Sequence, residues 1–416
     1  MDFRPNVRKL AVALLCGFLL LLAQLTYWQV VVSSRLQASP YNERPRARRA
    51  ATRRGSIFDR NGLVLARTEE FGDRVRERIY PLDDAAAHVV GYLARVHGSD
   101  GIERTQDDAL MATGAYRTSF KRLFSPRGVG CDVTLTLDGE AQRATHEELA
   151  LRRGAAVAIA PRTGEILVMA SAPSFSPALV DEDWEGIVER SDAPLLNRAA
   201  AQLYQVDAGL HLAVVTAAID AGVVRPAETF RCAGRAEVGG VPVECGARRG
   251  HGRVSVSDAL ALPCKIALAT LAARAPPETV NAHVDGLGLR DAPDIELAAR
   301  LSAVGLPLSA RPADVIAWLS DGGEGTTPLV MCAAVAAIAN QGMRMRPYLV
   351  ETVADVNGRV VDSTTFQQLE RACSAVTARE VAALMTDAPQ RGTAEGAGIA
   401  DMQVAGIAGS GPQPDG

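Results

Sequence analysis

The sequence predicts a mixed α/β protein of the α+β type that follows a single N-terminal transmembrane helix. Leu10 to Val32 contains no charged residue, and as a helix it would rise about 35 Å, enough to cross a bilayer. Short strand-like segments alternate with turn signals in residues 53–66 and 155–171. A small-residue segment from Leu212 to Ala221 has helical character.

The composition is that of a folded chain. Its 416 residues are enough for two domains, or three with a small one, and 48% hydrophobic and 22% charged residues are globular values. The net charge of −4 argues against nucleic acid as a partner. Lysine occurs only at Lys9, Lys121 and Lys265. Arginine cannot replace a catalytic lysine, because its pKa is too high for a base. No nucleotide-binding loop is present, so no cofactor is predicted.

The apolar run near the N-terminus predicts an uncleaved membrane anchor. It is too long for a signal-peptide core and lacks a clear small-x-small cleavage site. Residues 1–9 are then a cytoplasmic tail, residues 10–32 the anchor and residues 33–52 a polar linker. Basic residues flank both ends of the run, so the distribution of charge does not fix its orientation.

Two of the seven cysteines leave a choice open. Cys232 and Cys245 flank a Gly-rich, hairpin-like segment. Outside the cytoplasm they would form either a local disulfide or two free thiols. No Cys/His group has the local spacing of zinc ligands, so no metal site is predicted.

Several strands and one helix can be placed from the sequence pattern. Residues 53–66 predict a strand, an Asn-Gly turn and a second strand. Residues 132–138 alternate as a strand that leads into a helix from Ala141 to Arg152. Ala155 to Ala160 and Glu165 to Ser171 predict a hairpin around a Pro-Arg-Thr-Gly turn.

Two stretches resemble one protein family. Residues 53–66 resemble the opening signature of class B penicillin-binding proteins, Arg-Gly-x-Ile-x-Asp-Arg-Asn-Gly-x-x-Leu-Ala. Residues 196–199 and 204–216 resemble the active-site segment of the same penicillin-binding transpeptidases. The resemblance covers roughly residues 10–411. It implies a non-catalytic pedestal at residues 53–138 and a transpeptidase-like module at 139–416, an antiparallel sheet flanked by helices. It also implies a single-pass protein of the cell membrane with its bulk outside.

The resemblance implies acyl-transfer chemistry whose central groups are missing. In the family a serine attacks a D-alanyl-D-alanine carbonyl or a β-lactam ring, and a lysine three residues later takes the serine proton. Aligned on Tyr204 and residues 214–217, the serine position is Ala208 and the lysine position is His211. Alanine has no oxygen with which to attack.

The second and third family motifs are also altered. The Ser-x-Asn motif is replaced by Pro263, Cys264 and Lys265, and the Lys-Thr-Gly motif by Ile407, Ala408 and Gly409. The third motif is expected on the strand that lines the cleft and binds the substrate carboxylate, which isoleucine cannot attract. After Gly409 only a turn-rich tail follows, so the module is expected to be truncated before the family's remaining strands and final helix.

Three residues at or near these positions are candidates to replace the missing groups. Asp207 lies four residues before His211, so the two could pair on one helical face. Cys264 could form a thiol–histidine dyad with His211 if its pKa were lowered. The expected alternatives are a histidine with satisfied hydrogen bonds beside a vacated cleft, and a cysteine that acts as a small buried apolar group.

These observations predict a membrane-anchored, non-catalytic protein of peptidoglycan synthesis or division that acts as a scaffold or regulator. Its expected partners are membrane proteins of cell-wall synthesis or division, with only weak binding of peptidoglycan or β-lactam. One alternative is an active D,D-transpeptidase with a displaced nucleophile. No lysine follows three residues after any of the nearest hydroxyls, which are Ser174, Ser176, Ser255 and Ser257. Another alternative is a decayed product without function.

Overall fold

The computed structural model describes residues 4–27, 52–71, 75–113, 116, 129–149, 151–205, 207–304, 311–321 and 325–409. Most of the predicted linker and the tail after Gly409 lie outside these residues. Helix α1 spans Arg4–Thr26 and so overlaps the predicted anchor, whose residues 28–32 are also outside the described part. Within the described part, no helix combines the length and apolar character needed to cross a membrane.

The remaining elements alternate along the chain. The strands are β1 Ile57–Phe58, β2 Val64–Phe71, β3 Val75–Ile79, β4 Asp132–Leu135, β5 Gly154–Ile159, β6 Ile166–Ala172, β7 Thr229–Cys232, β8 Arg235–Val238, β9 Val241–Glu244, β10 Gly252–Ser255, β11 Met343–Met345, β12 Val350–Ala354, β13 Val360–Ser363 and β14 Gln368–Arg371. The helices after α1 are α2 Ala87–Val90, α3 Gly101–Thr105, α4 Asp107–Leu110, α5 Gly139–Leu149, α6 Trp184–Val188, α7 Arg198–Ala201, α8 Asp207–Asp220, α9 Val256–Ala261, α10 Lys265–Arg274, α11 Pro277–Gly286, α12 Pro312–Asp321, α13 Pro328–Ala339, α14 Ala375–Leu384 and α15 Asp387–Arg391.

The predicted strand–turn–strand at residues 53–66 is confirmed as β1, the Asn-Gly turn and β2. The carboxylate of Asp59 holds this turn by accepting hydrogen bonds from the backbone N–H groups of Asn61 at 2.8 Å and Leu63 at 2.7 Å. It also accepts from the N–H of Gly139 at the start of α5, at 2.9 Å. One buried carboxylate therefore satisfies three backbone donors, which explains the aspartate in the signature.

A buried charge cluster lies at the centre of the pedestal. Glu103 is fully buried, and its carboxylate accepts from Nε of Arg54 and from Nε of Arg78, both at 2.6 Å. Arg54 also donates to Asp107 at 2.5 Å. A buried carboxylate is tolerated when charged donors satisfy its oxygens, and here two guanidinium groups do so. The arginine that opens the family signature therefore has a structural role.

The pedestal sheet crosses the predicted domain boundary after residue 138. Its six strands have the order β13-β12-β4-β1-β2-β3, with β1 and β4 parallel and the other neighbours antiparallel. Strand β12 pairs with β4 through Val353 and Val133. The sheet is thus completed by two strands that follow most of the module along the chain.

The module is built on the predicted hairpin, which is confirmed as β5 and β6 in antiparallel register. Helix α5 packs against β6 and helix α13 against β5. Next to this hairpin, helices α8 to α14 bury one large apolar cluster. Many of its buried members on α8 are alanine and valine, whose small side chains let neighbouring helices approach closely. The residues aligned with the first two family motifs lie on, or directly before, helices α8 and α10 of this cluster.

Candidate functional site

The first and third aligned motif positions meet at the start of α8. This helix begins at Asp207, five residues before the predicted helical segment, so Ala208 lies in its first turn. A Cβ atom placed on Gly409 would lie 3.0 Å from the amide nitrogen of Ala208 and 3.2 Å from its Cβ. The two positions that the resemblance aligns with the first and third motifs are therefore close together. The side chain at the first of them is the methyl group of Ala208.

The prediction that residues 407–409 lie on a strand is wrong. Residues 403–409 adopt no regular structure. The N–H of Gly406 donates instead to the carbonyl of Met385, just after α14, at 2.9 Å. This bond holds the segment against a helix end, and the side chain of Ile407 packs partly against the large apolar cluster.

His211 is deeply buried and lacks the partner that was proposed for it. Its side chain is 2% exposed, and Nδ1 has no hydrogen-bond partner among the described residues. Oδ1 of Asp207 is likewise unpartnered within that part of the chain, so the predicted Asp207–His211 couple does not form through these atoms. Burial, and secondarily the charge of Lys265, lower the pKa of His211 to about 4. The prediction that the hydrogen bonds of His211 are satisfied is also wrong, because Nδ1 has no partner among the described residues.

Lys265 supplies positive charge to this site. It is the first residue of α10, at the position where the resemblance expects asparagine. Burial raises the pKa of Asp207, and the charge of Lys265 opposes that shift. A cation and a partly buried carboxylate therefore interact electrostatically at the start of α8, and the aligned residues Ala208 and Pro263 carry no hydroxyl or thiol.

Cys264 lies beside a histidine other than His211. It is fully buried, and burial raises the pKa of its thiol to about 12, which is the opposite of what a nucleophile needs. Its sulfur lies with Cys232, Cys245 and His251, and the ligand atoms of these four residues are all within 4.8 Å of one another. The histidine near Cys264 is thus His251, so the predicted dyad with His211 is wrong.

The same cluster decides between the two alternatives for Cys232 and Cys245. Both are free thiols in the structure. Each sulfur contacts Nδ1 of His251, at 3.6 Å for Cys232 and 3.4 Å for Cys245. Sequence spacing did not find this group because its members come from four separate segments. The sequence feature that could have indicated this Cys/His group is the pair of glycine-rich turns that bring those segments together.

The residues flanking the second and third motifs keep a packing role. Thr393 N–H donates to the carbonyl of Ala261, the last residue of α9, at 2.9 Å. Arg391 bridges Asp258 and Asp387, both at 2.5 Å. The Arg-Gly-Thr-Ala segment at residues 391–394 therefore fixes the end of α9.

Asn197 and Arg198 connect the module to the pedestal and to the preceding loop. The side chain of Asn197 caps α7 by accepting from Ala200 N–H at 3.3 Å, and it donates to the carbonyl of His88 at 3.2 Å. Arg198 is fully buried and donates to the carbonyl of Ala193 at 3.1 Å. Neither side chain is directed to chemistry at Ala208.

The four serines considered as displaced nucleophiles all make structural hydrogen bonds. Their partners are the Asp84 carbonyl for Ser174 at 2.7 Å, the Asp83 carboxylate for Ser176 at 2.5 Å, the Asp258 N–H for Ser255 at 3.0 Å and the Leu384 carbonyl for Ser257 at 2.8 Å. None of the bonds named above involves a lysine. Ser174 Oγ also lies 3.4 Å from Nδ1 of His88, but burial lowers the pKa of that histidine to about 4, which makes it a weak base.

Comparison with known proteins identifies the family. The model of the penicillin binding protein transpeptidase domain matches residues 154–412, which is more than half of the chain. The chain belongs to the penicillin-binding transpeptidase family. The model of the penicillin binding protein A dimerisation domain matches residues 54–125, within the pedestal. Both matches confirm the resemblance drawn from the sequence motifs.

Individual relatives of this penicillin-binding transpeptidase agree. It is 31% identical to the peptidoglycan D,D-transpeptidase PbpA of Mycolicibacterium smegmatis, over 96% of this chain and 85% of the relative. A D,D-transpeptidase domain from Eggerthella lenta superposes with a TM-score of 0.77 at 30% identity, covering 88% of each chain. Penicillin-binding protein A of Mycobacterium tuberculosis, solved as an imipenem acyl-enzyme complex, gives a TM-score of 0.77 at 26% identity, covering 86% of each chain.

We expect His211→Leu to stabilise the protein in mild acid relative to the wild type. The unfolded imidazole titrates near 6.5 and the folded one near 4, so wild-type stability is lost as pH falls between these values. At pH 5 this linkage amounts to about 2 kcal/mol. Leucine fills the space without an unpartnered nitrogen.

Urea denaturation at pH 8, 6 and 5 measures this effect. The stability difference between His211→Leu and the wild type should grow in favour of the variant as pH falls. His88, whose pKa burial also lowers to about 4, remains in both proteins, so its contribution cancels. Parallel curves for the two proteins would contradict a buried neutral His211.

Proposed function

We propose that this protein is a non-catalytic penicillin-binding transpeptidase, which acts as a scaffold or regulator of peptidoglycan synthesis or division. The single observation that carries the proposal is the close approach of Gly409 to Ala208 at the start of α8, where a Cβ on Gly409 would lie 3.0 Å from the amide nitrogen of Ala208. Ala208 is the residue that the resemblance aligns with the family's nucleophile, and it carries only a methyl group. A serine oxygen is required for the family's acyl transfer, and neither Ala208 nor Gly409 supplies one.

The charged groups near the contact do not restore the chemistry. His211 is neutral near pH 7 because burial lowers its pKa. Ala208, at the aligned nucleophile position, has no hydroxyl proton for it to remove. Lys265 comes from the second motif, in which the family uses a serine and an asparagine. The cleft therefore retains one cation that could attract a carboxylate weakly, which is consistent with weak binding of a peptidoglycan stem peptide or β-lactam.

The alternatives receive less support. An active D,D-transpeptidase would need a displaced nucleophile, but the candidate serines make structural hydrogen bonds and Cys264 has a raised pKa. A decayed product would be expected to lose its buried polar contacts along with its catalytic ones. Here Glu103 keeps both arginine partners, and Asp59 keeps its three backbone donors.

The location and partners follow from the sequence and the family. We propose that Leu10 to Val32 anchors the protein in the cell membrane, with the pedestal and module outside the cell. The partners would be membrane proteins of cell-wall synthesis or division that contact the anchor or pedestal. The buried charge cluster of the pedestal supports this part of the proposal, because its ion pairs stabilise the pedestal without any contribution from the cleft.

The test is the intact mass of the full-length chain in detergent after incubation with penicillin G. We expect no mass gain in the wild type while circular dichroism shows a folded protein. We also expect none in Ala208→Ser, because the neutral His211 is a weak base and the third motif lacks its cation and hydroxyl. Penicillin-binding protein A of Mycobacterium tuberculosis, solved as a penicillin G acyl-enzyme complex, is the positive control.

The outcomes separate the interpretations. A stoichiometric gain in the wild type would overturn the proposal, and peptide mapping would name the nucleophile. A gain only in Ala208→Ser would show that the rest of the cleft is still competent and that inactivity rests on residue 208 alone. A wild type without a mass gain and without folded structure would favour the decayed product.

A further inference from the structure

Three cysteines and one histidine converge beside the second motif. Cys232 ends β7, Cys245 follows β9, His251 precedes β10 and Cys264 precedes α10. Their sulfur and nitrogen ligand atoms all lie within 4.8 Å of one another. We propose that these four residues bind one Zn²⁺ ion in a closed, structural Cys₃His site. This inference does not depend on the proposed function.

The distances fit a tetrahedral zinc site. Zn–S bonds of about 2.3 Å and Zn–N bonds of about 2.0 Å place tetrahedral sulfur and nitrogen ligands about 3.5 Å apart. The two distances from Nδ1 of His251 are 3.6 Å to Cys232 and 3.4 Å to Cys245. Both sulfurs therefore already contact the histidine at the edge length that zinc coordination requires.

The ligand set selects zinc among the common metals. Three thiols and one imidazole are soft or borderline ligands, which favour Zn²⁺ over Mg²⁺ or Ca²⁺. Four protein ligands leave no open position, so the site is structural and supplies no bound water for catalysis. Cys264 is the N-terminal capping residue of α10, so its sulfur enters the cluster from the start of that helix.

The local backbone is shaped to bring the ligands together. Gly234 and Gly250 both have positive φ, at 88° and 74°. A Cβ on Gly250 would lie 2.3 Å from the carbonyl oxygen of Cys232, and one on Gly234 would lie 2.5 Å from that of Arg248. Only glycine fits this crossing of two turns. The N–H of Cys245 also donates to the carbonyl of Gly234 at 2.9 Å, which closes the same turn.

The strand register sets the histidine beside the first cysteine. Cys232 pairs with Gly252 in the antiparallel β7–β10 ladder, so His251 is adjacent to the pairing position of Cys232. Cys232, Cys245 and Cys264 are 2%, 7% and 0% exposed, whereas His251 is half-buried. Three ligands are therefore shielded from solvent, and the histidine side provides the route by which an ion would enter.

A bound ion would connect two parts of the module. Cys232 lies in the β7–β10 ladder, Cys245 directly follows β9 and His251 directly precedes β10. Cys264 belongs to the segment aligned with the second family motif. Metal binding to such a set contributes directly to folding stability. The ion would fix the positions of Pro263 and Lys265 relative to the β7–β10 ladder and the end of β9. It would also protect three thiols from oxidation if the module lies outside the cytoplasm.

The test measures zinc in the full-length chain, purified in detergent with a tag that does not bind metals. Elemental analysis should find about one zinc per chain in the wild type and a loss of most of it in Cys245→Ser and His251→Ala. Cys332→Ser is the matched control, because Cys332 lies apart from the cluster and donates to the Val157 carbonyl at 3.4 Å. It should retain the zinc of the wild type.

A second measurement covers variants that fail to fold. Replacing zinc by Co²⁺ in the wild type should give the thiolate-to-cobalt charge-transfer and d–d bands of a tetrahedral site, and a zinc chelator should lower the melting temperature. A folded wild type without zinc and without these cobalt bands would overturn the proposal. So would a Cys232–Cys245 disulfide found by peptide mapping of protein purified without reductant.

Discussion

Glu103→Gln should lower the free energy of unfolding of the pedestal by about 3 to 5 kcal/mol. The substitution keeps the shape of the side chain but removes the negative charge that Arg54 and Arg78 share. Both arginine side chains are only 6% exposed, so water cannot replace the lost partner. The variant leaves two buried positive charges with one fewer counter-charge, and this desolvation cost dominates the result.

Chemical denaturation of the full-length chain in detergent, followed by tryptophan fluorescence and circular dichroism, measures the change. The matched control is Glu140→Gln, which breaks the exposed pair of Glu140 with Arg143, with side chains 68% and 53% exposed. We expect less than about 1 kcal/mol for that control. If both variants shift the unfolding midpoint equally, the pedestal cluster is not stabilised by its buried charges.

Gly55→Ala should destabilise the pedestal by at least about 3 kcal/mol. A Cβ on Gly55 would lie 1.8 Å from the carbonyl oxygen of Cys131. The obstructing atom belongs to the backbone just before β4, so no side-chain rotation can relieve the overlap. Strands β1 and β4, which are parallel neighbours, would have to separate or shift their register.

Gly154→Ala is the matched control for this substitution. Gly154 opens β5, and no atom lies within 4 Å of the position where its Cβ would be placed. We expect a neutral change or a gain of up to about 1 kcal/mol, because alanine restricts the unfolded chain. The melting temperatures of Gly55→Ala and Gly154→Ala, compared with that of the wild type, measure both effects. Equal melting temperatures for Gly55→Ala and the wild type would show that β1 and β4 can move apart without cost.

Local features of the fold were predictable from the sequence. The Asn-Gly turn at residues 61–62 and the β5–β6 hairpin follow from alternation and turn residues, both of which act over a few positions. The pairing of β12 with β4 could not be predicted, because strands so far apart in the sequence leave no local pattern that links them. The start of α8 at Asp207 was also missed, since the helix continues through residues that belong to the active-site segment of the family.

The sequence predicted which catalytic residues are missing from the candidate site, but it did not predict the surroundings of the residues found in their place. Alignment of the flanking residues predicted the changed residues at the motif positions, and in the structure Ala208 and Gly409 lie close together. It could not show that His211 is buried without a partner for Nδ1, because burial depends on packing by several helices. The Cys₃His cluster was missed for a similar reason. Its ligands become neighbours only when β7 and β10 pair and α10 docks beside them.

The order of strands in the pedestal sheet has a consequence for synthesis of the protein. Strand β4 leaves the ribosome about two hundred residues before β12, the strand that covers its free edge. During that interval the edge of β4 has no permanent neighbour. The pedestal can therefore reach its final form only after most of the module has been made, and a nascent chain would benefit from chaperone protection of that edge until then.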